Sequence, residues 1–258
     1  MLDICVAGAT GWTGAAVVEG ILGAEDLRLR SAVARSAAGR EVGGAPAFGS
    51  VGEALDGVDV LIDYTSHLVV KDNVLTAVDR GVAVVVGTSG LSADDYAEID
   101  AAARPRGVGV VAAGNFSLTA AMAQAAALLA ARHLPHWEIV DYAGATKPDA
   151  PSGTARELAE RLAAVRAPVH ERPPDEVDGP REARGATVGG AQVHSVRLPS
   201  FVVSTEVVFA LPDERLAIRH DAGGSPAPYV AGTLLAARNA PGRVGLTRGL
   251  DVLLLELD

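Results

Sequence analysis

The sequence is poor in the features that would mark several classes of protein. Its 258 residues include one cysteine, Cys5, so no disulfide forms within the chain, and no Cys/His cluster has zinc spacing. Basic side chains number 22 against 32 acidic ones, which argues against a general affinity for nucleic acid or anionic membranes. The N-terminus enters a strand-like run where a secretory signal would stand, from which we expect a cytoplasmic protein.

One stretch without a charge, residues 107–131, is long enough on paper to span a bilayer. Its middle reads Gly-Asn-Phe-Ser at residues 114–117, which is typical of a turn followed by a helix cap. The pattern therefore predicts a buried strand, a loop and a helix, and we expect no membrane span.

The first 115 residues alternate short apolar strands with helices, the pattern of a parallel sheet with both faces covered. The predicted strands are residues 3–7, 27–33, 58–63, 82–86 and 108–112, and the predicted helices are residues 11–22, 67–80 and 93–103. This half of the chain predicts an α/β, Rossmann-type parallel sheet that binds a nucleotide.

The second half has a different pattern, with helices on one face of an antiparallel sheet. The predicted elements are helices at residues 117–132, 152–166 and 228–239, a strand at 137–142, a mobile loop at 168–184 and strands at 192–198, 201–211 and 215–220. Because short turns such as Leu-Pro-Ser at 198–200 separate the last three strands, they are predicted to form an antiparallel meander.

A glycine-rich loop directly follows the first strand and opens the first helix. Glycine lets the chain turn tightly and lets a pyrophosphate approach the backbone, while the helix N-terminus supplies N–H groups. We therefore expect cofactor contacts from Gly8, Thr10, Gly11, Trp12, Thr13 and Gly14. The alternative is a glycine-rich turn without a ligand.

The tip of the second strand carries Arg35 and Ser36, where an NAD-binding protein would carry a carboxylate for the ribose hydroxyls. A guanidinium presents a planar set of donors that suits a 2′-phosphate. The pair therefore favours NADPH as cofactor, with NADH possible but weaker. A solvated surface arginine is the alternative.

Three further loops follow the third, fourth and fifth strands and should reach the same crevice, because ligands lie beyond the carboxyl ends of parallel strands. Small residues with backbone donors in these loops can hold a nicotinamide ring. The candidates are Tyr64, Thr65, Gly87, Thr88, Ser89, Gly114, Asn115 and Phe116. Taken singly, each could belong to an ordinary turn.

An anion site is predicted in the second half, where residues 147–154 read Lys-Pro-Asp-Ala-Pro-Ser-Gly-Thr. Ser152 suits a helix N-cap, so Gly153 and Thr154 would offer backbone N–H groups to a carboxylate. Lys147, one of only two lysines, would add a positive charge. The alternative is a capping motif without a substrate.

This loop resembles the K-x-D-A-P-S-G-T signature of the dihydrodipicolinate reductase family, which acts in the diaminopimelate route to lysine. Three other stretches match family motifs in order: D-Y-T at residues 63–65 for D-F-T, G-T-S-G at 87–90 for G-T-T-G, and N-F-S at 115–117. The resemblance implies that a reduced nicotinamide cofactor delivers hydride to an unsaturated cyclic imine that bears two carboxylates.

The resemblance also implies an architecture. Residues 1–116, completed by residues 226–258, would form the dinucleotide-binding Rossmann domain. Residues 117–225 would form a smaller α+β domain for substrate binding and oligomerisation, with a four-stranded, mostly antiparallel sheet. Family members are usually homotetramers built through that sheet. The partners expected are a small carboxylate or imine substrate and other copies of this chain, with no nucleic acid, membrane or metal.

The chain departs from the family just before the lysine. The family pattern E-x-H-H, whose first histidine is thought to protonate the product, corresponds here to Asp141, Tyr142, Ala143 and Gly144. Neither Ala143 nor Gly144 can transfer a proton, and general acid catalysis typically contributes about 10²- to 10⁴-fold. No other histidine occupies a family catalytic position, so Lys147, Tyr142 and Asp141 are the nearer candidates. Strand alternation places Asp141 and Tyr142 on opposite faces.

Four hypotheses stay open at this stage. The chain could reduce the family substrate with a substitute acid, with Lys147 as the catalytic residue. It could instead reduce another imine or conjugated molecule that needs no histidine, such as an iminium that already carries its proton. It could be a non-catalytic NADPH-binding protein on the same fold. It could also be a dehydrogenase of another family.

Overall fold

Two separate β-sheets organise the chain, one in each of two units. The computed structural model describes residues 1–255. The first unit comprises Met1–Leu118 and the chain from Ser225 onward, and the second comprises Thr119–Gly224. Among the described residues, no helix is both long enough and apolar enough to cross a membrane.

The first unit alternates strands and helices. In chain order its elements are β1 (Leu2–Ala7), α1 (Trp12–Leu22), β2 (Leu27–Val33), β3 (Glu41–Val42), β4 (Ala45–Phe48), α2 (Val51–Ala54), β5 (Val60–Asp63), α3 (Val70–Asp79), β6 (Ala83–Val86), α4 (Ala93–Ala103) and β7 (Gly109–Ala112), and then, after the second unit, α7 (Ala227–Asn239), β13 (Gly245–Arg248) and α8 (Leu250–Leu255). The five strands predicted for this half are confirmed as β1, β2, β5, β6 and β7.

The first sheet has the order β13-β7-β6-β5-β1-β2-β4-β3, and every pair is parallel except β3 with β4. Strands such as β5 and β6 are buried at every position because helices cover both faces, which explains their continuous apolar sequence. The chain direction along the sheet reverses between β1 and β5. In a Rossmann sheet this is the switch point at which ligands bind, beyond the carboxyl ends of the strands.

The short hairpin of β3 and β4 was not predicted. Its strands are only two and four residues long, and β4 contains Pro46. The turn between them is Gly43-Gly44, and both glycines have positive φ. Such short segments carry too few apolar positions for a period to be recognised.

The second unit is a mixed sheet with two helices on one face. Its elements are α5 (Leu118–Ala131), β8 (His136–Ala143), α6 (Gly153–Val165), β9 (Ala186–Val188), β10 (Ala191–Arg197), β11 (Val203–Leu211) and β12 (Glu214–Asp221). The order β12-β11-β8-β10-β9 contains three antiparallel pairs and one parallel pair. The four predicted strands and the mostly antiparallel character are confirmed, and β9 adds a short fifth strand.

The predicted meander is wrong. β11 and β12 form a hairpin, but β10 and β11 do not pair, because β8 lies between them and is parallel to β10. β8 alternates strictly between buried and half-buried residues, with Trp137 and Ile139 facing a core shared with α5 and α6. A strand with such large apolar residues buries more surface at the centre of a sheet than at its edge. The short loop between β10 and β11 does not indicate which strands pair, and so the sequence did not predict that β8 lies between them.

Candidate active site

A groove of about 620 Å³ opens in the first unit at the carboxyl ends of β1, β2 and β5. It brings together seven of the residues predicted to bind the cofactor: Gly8, Thr10, Gly11, Arg35, Ser36, Tyr64 and Thr65. The other nine do not line this groove: Trp12, Thr13, Gly14, Gly87, Thr88, Ser89, Gly114, Asn115 and Phe116.

The glycine loop is packed too closely for any side chain at two of its positions. Gly8 has φ +80°, and a Cβ there would lie 2.2 Å from the Tyr64 carbonyl oxygen. A Cβ at Gly14 would lie 2.1 Å from the Gly8 carbonyl oxygen. Helix α1 follows with Gly11 as N-cap and no capping side chain. The helix end is therefore open to an anion such as a pyrophosphate.

Arg35 lies at one end of the groove, in a 3₁₀ turn that directly follows β2. Its side chain is exposed and forms no ion pair with any described residue. Arg40, by contrast, folds back and donates from Nη2 to the Ser36 carbonyl oxygen. The hydroxyl oxygens of Ser36 and Thr10 lie 3.4 Å apart. Arg35 is thus the guanidinium that this turn leaves available to a ligand.

Asp63, at the end of β5, is a completely buried carboxylate that holds the surrounding loops. It accepts hydrogen bonds from the Thr65 N–H (3.0 Å) and hydroxyl (2.6 Å), from Asn73 Nδ2 (2.8 Å) and from Thr88 Oγ1 (2.7 Å). Thr88 therefore helps to hold the loops that form the groove, although it does not line the groove itself. The sequence analysis placed Asp63 in a family motif without giving it a role, and it missed Asn73; the informative feature was a carboxylate at the end of an apolar strand.

Tyr64 and Phe116 form a packed layer in the first unit. The Tyr64 hydroxyl is hydrogen-bonded to Thr233 Oγ1 at 2.7 Å, and its ring meets Phe116 edge-on. A Cβ at Gly87 would lie 2.2 Å from the Tyr64 ring, so this glycine makes room for the tyrosine. Burial raises the pKa of the Tyr64 hydroxyl, which keeps it protonated. Phe116 is fully buried and supports the loop by packing.

In the second unit, the predicted N-cap is confirmed. Helix α6 begins at Gly153, and Ser152 Oγ accepts a hydrogen bond from the Ala155 N–H at 3.3 Å. Ser152 is itself buried, whereas Gly153 and Thr154 are half-buried. The Ser152 side chain therefore positions the start of α6, and the first turn of the helix is the part that a ligand can reach.

A completely buried carboxylate, Asp141, holds Ser152 in place. Its two oxygens accept hydrogen bonds from the Ser152 N–H (2.8 Å), Ser152 Oγ (2.6 Å), Ser195 Oγ (3.2 Å) and Arg197 Nη2 (2.8 Å). Arg197 Nη2 also donates to the Asp149 carbonyl oxygen at 2.8 Å. Because four donors bond to it, Asp141 fixes the position of the loop, while its role as a proton donor stays a prediction. Arg197 was missed by the sequence analysis.

Lys147 lies within the loop, with about a quarter of its side chain exposed, and its Nζ is 2.6 Å from Asp149 Oδ1. Its backbone N–H donates to the Gly144 carbonyl oxygen at 3.0 Å. Burial raises the pKa of Asp149, but the hydrogen bond and charge of Lys147 outweigh it and bring that pKa below its usual range. The ammonium is thus held within the loop that leads into α6 by a partner that an anionic ligand could replace.

The two positions of the family's histidines are structurally different from each other. Ala143 is completely buried on the face of β8 that also carries Asp141, and Gly144 is half-buried. Tyr142 lies on the opposite face, as strand alternation predicts, with its hydroxyl donating to Glu206 Oε2 at 3.2 Å. The pKa of the Tyr142 hydroxyl is raised, chiefly by burial. Tyr142 therefore does not share a face with the Lys147–Thr154 loop that Asp141 anchors.

A Rossmann sheet with an open glycine loop, and a second unit in which a lysine-bearing loop leads into a helix, are the features of a nucleotide-dependent oxidoreductase that acts on a small molecule. The chain belongs to the dihydrodipicolinate reductase family: residues 2–116 match its N-terminal domain and residues 114–253 its C-terminal domain. The family resemblance seen in the motifs is thereby confirmed, and with it the function of an NAD(P)H-dependent reductase.

Individual relatives match over nearly the whole chain. The 4-hydroxy-tetrahydrodipicolinate reductase of Moorella thermoacetica is 39% identical over 265 residues, which cover 98% of each protein. That of Desulfitobacterium hafniense (strain DSM 10664 / DCB-2) is 36% identical, with 97% of each covered. A solved structure, dipicolinate-bound dihydrodipicolinate reductase from Paenisporosarcina sp. TG-14, is similar with a TM-score of 0.78 and 25% identity, covering 98% of this chain and 99% of that one.

Proposed function

We propose that this chain transfers hydride from NADPH to a cyclic imine that bears carboxylates, either 4-hydroxy-tetrahydrodipicolinate or a close analogue. The curated relatives have that substrate in their names, and the solved relative binds dipicolinate, a planar dicarboxylate. The observation that carries the proposal is that Lys147 lies, paired with Asp149, on the loop that leads into α6, and that Asp141 and Arg197 fasten this loop to the sheet.

The loop has the chemistry that a carboxylate needs. Gly153 and Thr154 form the first turn of α6, where backbone N–H groups and the helix dipole favour an anion. Lys147 adds an ammonium that is only partly exposed. A substrate carboxylate that binds here displaces Asp149 from Lys147 and exchanges one carboxylate for another, so the lysine keeps an anionic partner. This exchange favours substrates with a carboxylate over neutral imines.

The first unit has the groove that a nicotinamide dinucleotide requires. Gly8 and Gly14 let the loop pack closely against neighbouring backbone, and the uncapped start of α1 that follows fits a pyrophosphate at the helix N-terminus. The groove continues to Arg35 and Ser36 on one side and to Tyr64 and Thr65 on the other. When bound, the cofactor supplies the hydride. The residues of the chain hold it, and the Asp63 network keeps the loops around it in place.

The preference for NADPH can be tested at Arg35. We expect Arg35→Ala to raise the Kd for NADPH about 10- to 100-fold and to change the Kd for NADH less than about twofold, because a charged hydrogen bond to a 2′-phosphate contributes about 1.5–3 kcal/mol. Fluorescence titration with each cofactor measures both constants. Arg30→Ala is the control, since Arg30 lies on β2, the strand that precedes Arg35, but donates to the Asp56 carbonyl oxygen and does not line the groove. Equal losses for both cofactors would contradict the phosphate assignment.

The proposed activity is tested by following NADPH oxidation at 340 nm with freshly prepared 4-hydroxy-tetrahydrodipicolinate. Wild type should consume NADPH, and Lys147→Ala should be much slower. A second candidate function, a nucleotide-binding protein without catalysis, is favoured by Ala143 and Gly144, neither of which can move a proton. Identical slow decay with both proteins would support that candidate and refute the reductase.

We also propose a homotetramer that assembles through the face of the second sheet opposite α5 and α6, as the family resemblance implies. Val140 and Val208 lie on that face and are only half-buried in the single chain, beside Glu138 and its partners Arg184 and His194, so the face offers both apolar and charged groups to a partner copy. Light scattering on the purified protein should give about four times the chain mass of 26.3 kDa. A stable monomer at micromolar concentration would rule the assembly out.

A further inference from the structure

One row of polar residues crosses the helix-covered face of the second sheet. Its members are register partners on four adjacent strands, in the order Ser195, Asp141, Thr205 and His220. The next row on the same face is apolar: Val193, Ile139, Val207 and Ile218. Because Asp141 is bonded to Ser152, the polar row runs beneath the start of α6. At β12 the polar row ends in His220.

A cavity of about 30 Å³ lies at the His220 end of this row. It is lined by residues of α5, α6, β11 and β12: Ala120, Ala123, Gln124, Thr154, Leu158, Thr205, Val207, Ile218 and His220. The Thr205 side chain is 7% exposed, and among the described residues its Oγ1 has no hydrogen-bond partner. A buried hydroxyl is normally paired, and the cavity has room for at least one water molecule. The unpartnered hydroxyl therefore indicates that the cavity receives a polar ligand or water.

We propose that His220 supplies the proton that Ala143 and Gly144 cannot, delivering it through the cavity it shares with Thr154 and Thr205. This inference rests on the proposed function. Thr154 belongs to the loop that would hold the substrate carboxylate, so the cavity connects that loop with the imidazole. His220 Nε2 is 3.1 Å from Thr119 Oγ1, and its Nδ1 has no hydrogen-bond partner in the part of the chain that the structure describes. Nδ1 is the atom that gives the proton.

The step balances as follows. 4-Hydroxy-tetrahydrodipicolinate first loses water: its hydroxyl leaves together with a proton from the carbon between it and the C=N group, which creates a conjugated C=C–C=N group. Hydride, with two electrons, then passes from NADPH to the terminal carbon of that group, and NADP⁺ forms. The electron pair displaced from the double bond takes one proton from the Nδ1–H of the His220 imidazolium, directly or through water held by Thr205. The neutral imidazole then recovers a proton from solvent. In total the substrate loses one water molecule and gains one hydride and one proton.

The surroundings of His220 set its protonation. Burial chiefly lowers its pKa, and the adjacent Asp221 carboxylate opposes that shift. The polar residues that line the cavity with His220 are neutral: Gln124 of α5, Thr154 of α6 and Thr205 of β11. Gln124 donates a hydrogen bond to Glu157 on α6, which does not line the cavity. Only the imidazolium can donate, so kcat should fall as the pH rises through the pKa of His220.

The test compares His220→Gln with two controls over a range of pH. Glutamine has an amide that can bond to Thr119 but cannot titrate. The kcat of this variant should therefore fall about 100-fold or more, and its pH profile should no longer decrease at alkaline pH. The KM for NADPH should stay within about twofold of the wild-type value. His194→Gln, on the opposite face and paired with Glu138, should behave as wild type. Thr119→Val removes the hydrogen bond to His220 but keeps the imidazole, so its alkaline limb should remain.

The outcomes separate this inference from the proposed function. If wild type turns over the substrate and His220→Gln has the same kcat, the role of His220 is overturned and the proposed function stands. A lower kcat with the alkaline limb retained also overturns it, because a purely structural role has that signature. No turnover by wild type overturns both proposals. Should His220→Gln fail to fold by circular dichroism, His220→Asn is used under the same criteria, with added imidazole expected to restore turnover.

Discussion

Lys147→Met is expected to lower kcat/KM for the carboxylated imine about 100- to 1,000-fold and to leave the Kd for NADPH unchanged within about twofold. Methionine has nearly the length of lysine but no charge, so a substrate carboxylate would lose its ammonium partner in a partly enclosed loop. Loss of one member of such a charge pair typically costs about 2–5 kcal/mol or more, and the expected decrease, about 3–4 kcal/mol, lies within that range. Steady-state kinetics at 340 nm and a cofactor titration measure the two constants.

The chain offers a matched control in its only other lysine. Lys71 lies in the first unit, on α3, where it pairs with Asp95 and Glu98. Lys71→Met removes the same charge without touching either candidate site, so kcat/KM should stay within about twofold of wild type. Comparable losses in the two variants would mean that net charge, and not the placement of Lys147, governs activity.

Asp141→Asn is expected to lower the free energy of unfolding by about 3 kcal/mol and to raise the KM for the substrate. The new amide presents N–H groups toward donors on Ser152 and Arg197, and the largely buried Arg197 guanidinium loses its anionic partner. Removing one member of a buried ion pair typically costs about 3–5 kcal/mol, and the value here is set at the lower end because part of Arg197 is solvent-exposed. Urea unfolding followed by circular dichroism measures the change.

Asp149→Asn is the control for this prediction. Asp149 lies in the same loop and pairs with Lys147, but nearly a third of its side chain is exposed. Partly exposed pairs contribute at most about 1 kcal/mol, so this variant should be nearly as stable as wild type. If the two variants lost equal stability, the buried network around Asp141 would not be what holds the start of α6.

The local parts of this molecule were predictable because their causes are local. Fully apolar strands such as β5 and β6 follow from burial on both faces, and helix α6 follows from a serine that caps its first turn. The glycine loop follows from the close approach of Gly8 and Gly14 to neighbouring backbone. Each of these features depends on residues close in sequence or on a constraint that a single residue type satisfies.

The features that the sequence analysis missed join residues far apart in the chain. Asp141 meets Arg197 across 56 positions, and both sides of that pair look like ordinary strand residues until β10 is known to lie beside β8. The misassigned meander has the same cause, since the order of strands in a sheet depends on which strand buries most apolar surface at the centre. The cavity at His220 likewise exists only because β11 and β12 pair beneath two helices.

The amino-acid sequence alone determined the two kinds of sheet, the glycine loop, the lysine loop and the family, because periodicity, glycine placement and motif spacing are written in neighbouring residues. Tertiary structure alone decided that Asp141 is an anchor, that Tyr142 faces away from the lysine loop, and that His220 shares a cavity with Thr154. These outcomes depend on strand register and on which face of the sheet the helices cover, and such choices arise from the burial of the whole apolar surface at once.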